Sequence, residues 1–462
     1  MTSGRPAVLR AGAASLSWLL PAWYLVTRLA VVGLLSGPVA AEQRRVGGLS
    51  DVTYRDFVTV WDGQWYARIA AQGYPLPLPL DAFGRVDQSE WAFYPLFPLL
   101  VRLVTQVGPP FWVAAQVVNL FAGAAAAWLA YRLLSGEQAG FRPTGTPAGR
   151  VAAHRRTAAV AVGLWLLYPA TTVLQIAYSE AVALLLVMAV LTAMHRRRYG
   201  IALVLVLALG FARAVAAPLA FVVFAHLIVR ARREWAPARV FPPGDPDGTK
   251  WLASPATGSP GSTGSTGSTG SHVVVGAGRR RVEIPSWWFS GLAVLGGTVV
   301  AGVAWPVLVG WLTGRPDAFF AVQATWGQRP DRGPFQPWWT WLVSNHGLPA
   351  ALGAATALAL LCGCMLTRYA AWMPLELRAW GLAYPLYLFA VTAPSTSMIR
   401  FLLLNLPVFG VVAALLVGDP RRGRSRRCWA VGPLLCLPIL AWTVHWWATV
   451  LLVFTPPMDW PP

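Results

Sequence analysis

Four charged residues in this chain sit where their chemistry is hard to ignore: Asp62, Glu180, Arg213 and Arg400. Asp62 lies in the aromatic stretch Trp61-Asp62-Gly63-Gln64-Trp65-Tyr66. An ionised carboxylate at a water–lipid boundary can take the proton of an incoming hydroxyl, which is general-base work. Aspartate is also a preferred residue at helix starts, where the macrodipole favours its charge, and on the residue alone the capping role is the stronger reading. Glu180 closes Tyr178-Ser179-Glu180, just after Pro169 interrupts an apolar run; an acid at membrane depth is costly and points to a site or to an internal ion pair. Arg213 falls between two apolar stretches and Arg400 follows Ser395-Thr396-Ser397. Each is expected near an external helix end, against the usual charge bias. A forked guanidinium there suits phosphate, or else a structural carboxylate partner. The stretch Trp91-Ala92-Phe93-Tyr94-Pro95-Leu96-Phe97-Pro98, with two prolines three apart, could line a lipid-linked substrate or belong to an interfacial aromatic belt.

The elements that must position these residues are helices in a bilayer. The 462 residues are 56% apolar and 12% charged, against the roughly 25% charge that covers a soluble surface; mean hydropathy is +0.52. Runs of about 20 apolar residues, each long enough for a ~30 Å core, recur from Ser15 to Phe454. The fold class expected is an all-α integral membrane protein. The net charge of +19 comes almost wholly from arginine, Lys250 being the one lysine. These arginines cluster between helices, at Arg196 to Arg198, Arg279 to Arg281 and Arg421 to Arg427, as the positive-inside rule requires, so nucleic acid is not expected as a partner. Cys362, Cys364, Cys428 and Cys436 lack metal-ligand spacing and read as packing residues.

Eleven crossings are expected, near 15–37, 110–131, 157–173, 176–194, 199–212, 213–230, 286–313, 347–367, 379–394, 399–418 and 429–454. They put the N-terminus inside, with Arg5 and Arg10, and the C-terminus outside in a plasma membrane. Segment 91–107 is apolar, but a full crossing there would spoil the alternation of basic loops, so it reads as re-entrant or surface-lying. The chain divides into an N-terminal module, 1–230, a flexible Gly-Ser-Thr-rich cytoplasmic linker, 231–285, and a C-terminal module, 286–462. The first external loop, 38–90, is long and aromatic, which marks it as functional. Within it Trp61, Trp65 and Ile69, with Tyr66 and Ala70 beside them, recur at helical spacing. They predict an amphipathic helix on the membrane surface that ends at Gly73 and Pro75.

In that order, Trp61-Asp62, Gly73-Tyr74, Ala92 to Pro98, Tyr178-Ser179-Glu180 and Arg400-Phe401 resemble the PIG-V family, mannosyltransferases of the GT-C glycosyltransferase superfamily. The resemblance is strong over 55–105 and 165–215, weaker over 395–410 and absent from the linker. It implies a polyprenyl-phosphate-linked hexose donor, mannose by family, and a lipid or glycan acceptor at the extracytoplasmic face. It implies that Asp62 is the catalytic residue. The acid the family shows before its aromatic-proline stretch is matched by Asp87 or Glu90, and Phe93-Tyr94 replaces two phenylalanines. The family pattern after Arg213 is not kept.

The expected reaction is a single inverting displacement. Asp62 is the base, Arg213 and Arg400 meet the leaving phosphate, Glu180 positions hydroxyls, and Trp61, Glu90, Tyr94 and Tyr178 line the substrate. No cofactor or metal is expected. The rival is a transporter or flippase of a lipid-linked or anionic substrate, which also needs charges within many crossings; no inverted repeat joins the two halves.

Overall fold

The computed structural model describes residues 6–47, 51–136, 148–235, 285–328, 332–422 and 431–453. All but the ends of the expected linker, including Arg279 to Arg281, lies outside these residues, as do Arg424 to Cys428. The described chain is helical, with no strand beyond an isolated bridge between Leu80 and Val86.

The helices run in order as α1 (Pro6–Leu34), α2 (Ala40–Gly47), α3 (Tyr54–Val58), α4 (Asp62–Gln72), α5 (Leu96–Thr105) and α6 (Phe111–Ser135). Next come α7 (Ala148–Trp165), α8 (Glu180–His195), α9 (Tyr199–Leu209), α10 (Ala217–Trp235), α11 (Ser286–Thr313) and α12 (Ala318–Thr325). The last are α13 (Gln336–His346), α14 (Leu348–Gly363), α15 (Leu375–Val391), α16 (Ser397–Phe401), α17 (Pro407–Val417) and α18 (Val431–Leu451). Pro38 cannot donate to the helix ladder, and there the first long helix widens into a π turn, Leu35–Val39, before continuing into α2.

Among the described residues, four helical stretches are long and apolar enough to cross a membrane: Leu19–Val46, Phe111–Ser135, Ser286–Thr313 and Leu348–Leu366. A fifth counts if Ser397–Leu404 and Pro407–Val417, bent by 74° at Asn405-Leu406, form one broken span. Leu29, Phe121, Val307, Trp311 and Leu360 on these helices point outward, the pattern of an all-α protein solvated by lipid. At ten residues, about 15 Å, α5 reaches half-way through a hydrocarbon core. The same holds for α9.

Centrally placed α8 is apolar all round because it is buried all round, packed by α6, α9 and α15. The stretch between α7 and α8, residues 166–179, is irregular yet buried along almost its whole length. Its backbone is therefore satisfied from the sides: Asn119 Nδ2 donates to the carbonyls of Ile176 and Tyr178, and the Ala177 N–H donates to the carbonyl of Val58 at 2.7 Å.

The expected helix in the first external loop is present as α4, closed by Gly73 in the positive-φ region. Its apolar stripe is turned inward rather than laid on a surface: Tyr66, Ile69 and Ala70 are buried, and α4 packs on α5.

Candidate functional site

Two helix starts bring two acids together. Asp62 is the first residue of α4 and Glu180 the first of α8, so each carboxylate meets the positive end of a helix dipole. Close approach of α4 to the segment before Glu180 needs Gly63. A Cβ there would stand 3.2 Å from the Val58 carbonyl oxygen and 3.4 Å from the Ala177 Cβ. Just ahead of Asp62, Trp61 holds φ at 55°, a left-handed conformation that costs a non-glycine residue about 1–3 kcal/mol.

Arg400 lies between the two acids. From short α16 its Nη1 donates to Asp62 Oδ2 at 2.6 Å, and its Nε is 3.2 Å from Glu180 Oε1. Arg213, in the loop between α9 and α10, places Nη1 2.9 Å from the same Glu180 oxygen and donates to Ser179 Oγ at 3.2 Å. Residues 338 positions apart thus join in one network. Two positive and two negative groups sum to zero, which is how a buried cluster of this size is tolerated.

The members differ in how they are held. Asp62 is 24% exposed at the side chain, and among the described residues only Oδ2 is engaged. Glu180 is buried, and neither of its oxygens receives an aligned hydrogen bond, although both arginines stand within ion-pair distance. It is held by charge rather than by directed donors, and keeps acceptor capacity.

Aromatic rings frame the cations. Arg400 Cζ is 4.7 Å from the centre of the Tyr178 ring and 5.0 Å from that of Phe401, and Arg213 Cζ is 4.8 Å from Phe401. Tyr66, one turn after Asp62, donates its hydroxyl to Ser179 Oγ at 2.9 Å. Beyond it, Trp65 stacks on Phe93 at 5.8 Å and meets Trp326 edge-on at 5.6 Å.

Of the residues expected at the site, Asp62, Glu180, Arg213 and Arg400 converge, with Tyr178 beneath Arg400 and Trp61 at the cap of α4. Two expected members have their direct contacts elsewhere. Tyr94 packs against Trp305 and Phe319 in an adjoining aromatic cluster. Glu90 is 4.0 Å from Arg68, whose guanidinium covers the Trp65 ring. Sequence reasoning named Ser179, Tyr66 and Phe401 in their motifs but gave none of them a role in the site. The signal for Tyr66 was present, since it lies four residues after Asp62 on one helix face. Both arginines are turned to carboxylates, the alternative left open for them. Among the described residues no group of three or more His, Cys, Asp and Glu side chains is placed to hold a metal ion. No family model matches the chain, and no curated protein matches it.

Proposed function

We propose that this chain is a multi-pass membrane glycosyltransferase of eleven crossings. In this reading it moves a hexose, mannose by its resemblance to PIG-V proteins, from a polyprenyl-phosphate donor to an extracytoplasmic lipid or glycan acceptor. The observation that carries the reading is the convergence of Asp62, Glu180, Arg213 and Arg400. A partly open carboxylate with one unengaged oxygen stands beside the Arg400 guanidinium, and a second guanidinium, Arg213, stands one carboxylate away on Glu180, a set that suits base-assisted displacement from a phosphate.

The charge balance suggests how the parts cooperate. The acceptor O–H bond breaks and its proton passes to Asp62. The acceptor oxygen bonds to the anomeric carbon from the face opposite the donor phosphate, so the configuration inverts. The anomeric C–O bond breaks, and its electrons leave on the polyprenyl phosphate. As Asp62 is neutralised its hold on Arg400 weakens, and that cation becomes available to the phosphate as negative charge accumulates there. Glu180, buried and without aligned donors, accepts hydrogen bonds from sugar hydroxyls.

The test is transfer of labelled hexose from polyprenyl-phosphate hexose in membranes holding the full-length protein. Asp62→Asn keeps the shape and removes the base, and transfer should fall ~100-fold or more. Full activity in that variant removes the assignment. Arg400→Ala with unchanged donor affinity removes the phosphate role.

A further inference from the structure

Arg28 is a second buried guanidinium, and it is matched differently. It lies in α1 at 2% exposure, while its neighbours Leu25, Val26 and Leu29 face outward. Nη1 donates to the carbonyl of Thr171, Nε and Nη2 donate to the hydroxyl of Thr27, and Cζ stands 5.0 Å from the centre of the Tyr24 ring. Every one of these partners is neutral. Among the described residues no carboxylate comes within ion-pair distance of Arg28. Arg213 and Arg400, by contrast, are balanced by Glu180 and Asp62.

A neutral donor such as glutamine could hold the Thr171 carbonyl. A full charge in an apolar helix is costly unless an opposite charge meets it, so the charge itself calls for a partner. A second observation lies on the same turn. The Thr172 hydroxyl is fully buried and has no hydrogen-bond partner among the described residues, and buried hydroxyls are ordinarily satisfied.

The surroundings indicate which anion. Arg28 bonds to the carbonyl of Thr171, near the outer end of the expected crossing 157–173, which places it toward the outer side. Between it and the external loop stands a chain of neutral polar groups: Tyr54 donates to Gln116 Oε1 at 2.6 Å and accepts from Gln175 Nε2 at 2.9 Å. The outward-facing leucines and valine of α1 lie beside it, so an occupant can arrive with its tail in lipid.

We propose that Arg28 and Thr172 form a second anion site, separate from the Asp62–Arg400 network, that takes the phosphate of a lipid headgroup from the outer leaflet. The phosphate can be carried by a bulk phospholipid or by a polyprenyl chain; the recognising chemistry, a guanidinium and a hydroxyl donor, is shared. A run of hydrogen bonds and one ring contact connects the site to the ion network. The Tyr24 hydroxyl donates to the Asn119 carbonyl, Asn119 Nδ2 donates to the Tyr178 carbonyl, and Tyr178 lies under Arg400.

The proposal does not rest on glycosyl transfer and is tested by binding. The full-length protein in neutral detergent is titrated with polyprenyl phosphate, phosphatidylglycerol, phosphatidylcholine and inorganic phosphate, with the unfolding temperature as readout. At least one anionic lipid should raise the Tm of wild type, and Arg28→Gln should weaken that apparent affinity ~10-fold or more, the effect of losing a charge-assisted pair. A response to polyprenyl phosphate alone assigns the tail as well as the headgroup, whereas equal responses to both anionic lipids assign a general phospholipid site. If Arg28→Gln does not fold, Thr172→Val decides: affinity weakened ~3-fold or more supports the site, and unchanged affinity overturns it. The proposal is also overturned if no anionic probe shifts wild type or if Arg28→Gln responds like wild type.

Discussion

At the scale of single residues, Arg400 organises the site because it is the group both acids share. It reaches Asp62 through Nη1 and Glu180 through Nε, a division of labour that depends on the width and planarity of the guanidinium. Lysine carries the same charge on one compact nitrogen and cannot face both acids in this way. Arg400→Lys is therefore expected to fold and to lose most transfer activity, whereas Arg400→Met strands Asp62, leaves Glu180 to Arg213 alone and should cost about 3 kcal/mol of stability. Denaturation in detergent, run beside the transfer assay, separates the two effects. Wild-type stability and transfer in Arg400→Lys would show that the fork has no special role. Glu180 gives the complementary case: since no aligned donor holds its oxygens, Glu180→Gln should be tolerated by the fold better than Glu180→Ala, which also opens a cavity.

At the scale of elements, the site depends on how α3 and α4 are docked against the segment that leads to α8. Gly63→Val puts a branched side chain where even a Cβ is 3.2 Å from the Val58 carbonyl oxygen. The expected cost is ~1–3 kcal/mol of overpacking, with a larger proportional loss of activity, because the displacement separates Asp62 from Glu180. Unchanged activity at reduced stability would mean that the acids need not be held together. The short helix α3 depends on its start, where the Asp56 carboxylate accepts from the Thr53 hydroxyl at 2.7 Å and from the Thr53 N–H at 2.8 Å. Partial burial alone would raise this carboxyl, but those hydrogen bonds hold it below its ordinary value of 3.8. A depressed carboxyl stabilises the fold above its unfolded value and loses that contribution as pH falls through the folded one. Asp56→Ala should thus cost about 1 kcal/mol at neutral pH, and the difference from wild type should shrink as pH drops below 3.8.

The same elements explain what could be read in advance. Asp62, Glu180, Arg213 and Arg400 were legible because a charge among apolar neighbours is expensive and so announces itself. The start of α4 and its end at Gly73 were legible from spacing and turn chemistry. The direction of its apolar stripe was not, since periodicity marks a buried face without naming what covers it. Tyr94 shows the same limit from the other side. An aromatic beside two prolines suits a substrate wall and a packed cluster alike, and the packing with Trp305 and Phe319 depends on α11 and α12, more than 200 residues away in the chain. Ser179 had a place in its motif but no role, because a hydroxyl has no identity until its partners, Tyr66 and Arg213, arrive.

At the scale of the whole molecule, α8 is tied at both ends. Glu180 at its start joins the ion network, and His195 at its end meets Glu376 of α15 at 3.0 Å, where His226 of α10 also bonds at 2.6 Å. The fifteen steps between Glu180 and His195 span about 22 Å, so two polar clusters are separated by most of a hydrocarbon core. That geometry fits opposite membrane faces, with the basic His195 to Arg198 end inside and the Asp62 network outside. The proposed topology places five crossings between Gln88 and Ser271, and an odd number puts those residues on opposite sides. In a background with Cys362, Cys364, Cys428 and Cys436 replaced by serine, Gln88→Cys should react with an impermeant maleimide on intact cells. Ser271→Cys should react only after permeabilisation. Labelling of both from outside would mean an even number of crossings between them, as if 91–107 spanned the bilayer after all. α5 would then need neighbours to complete a helix that covers about 15 Å by itself. Labelling of Ser271→Cys alone on intact cells would invert the molecule and put the Asp62 network in the cytoplasm, where a donor held in the outer leaflet could not reach it.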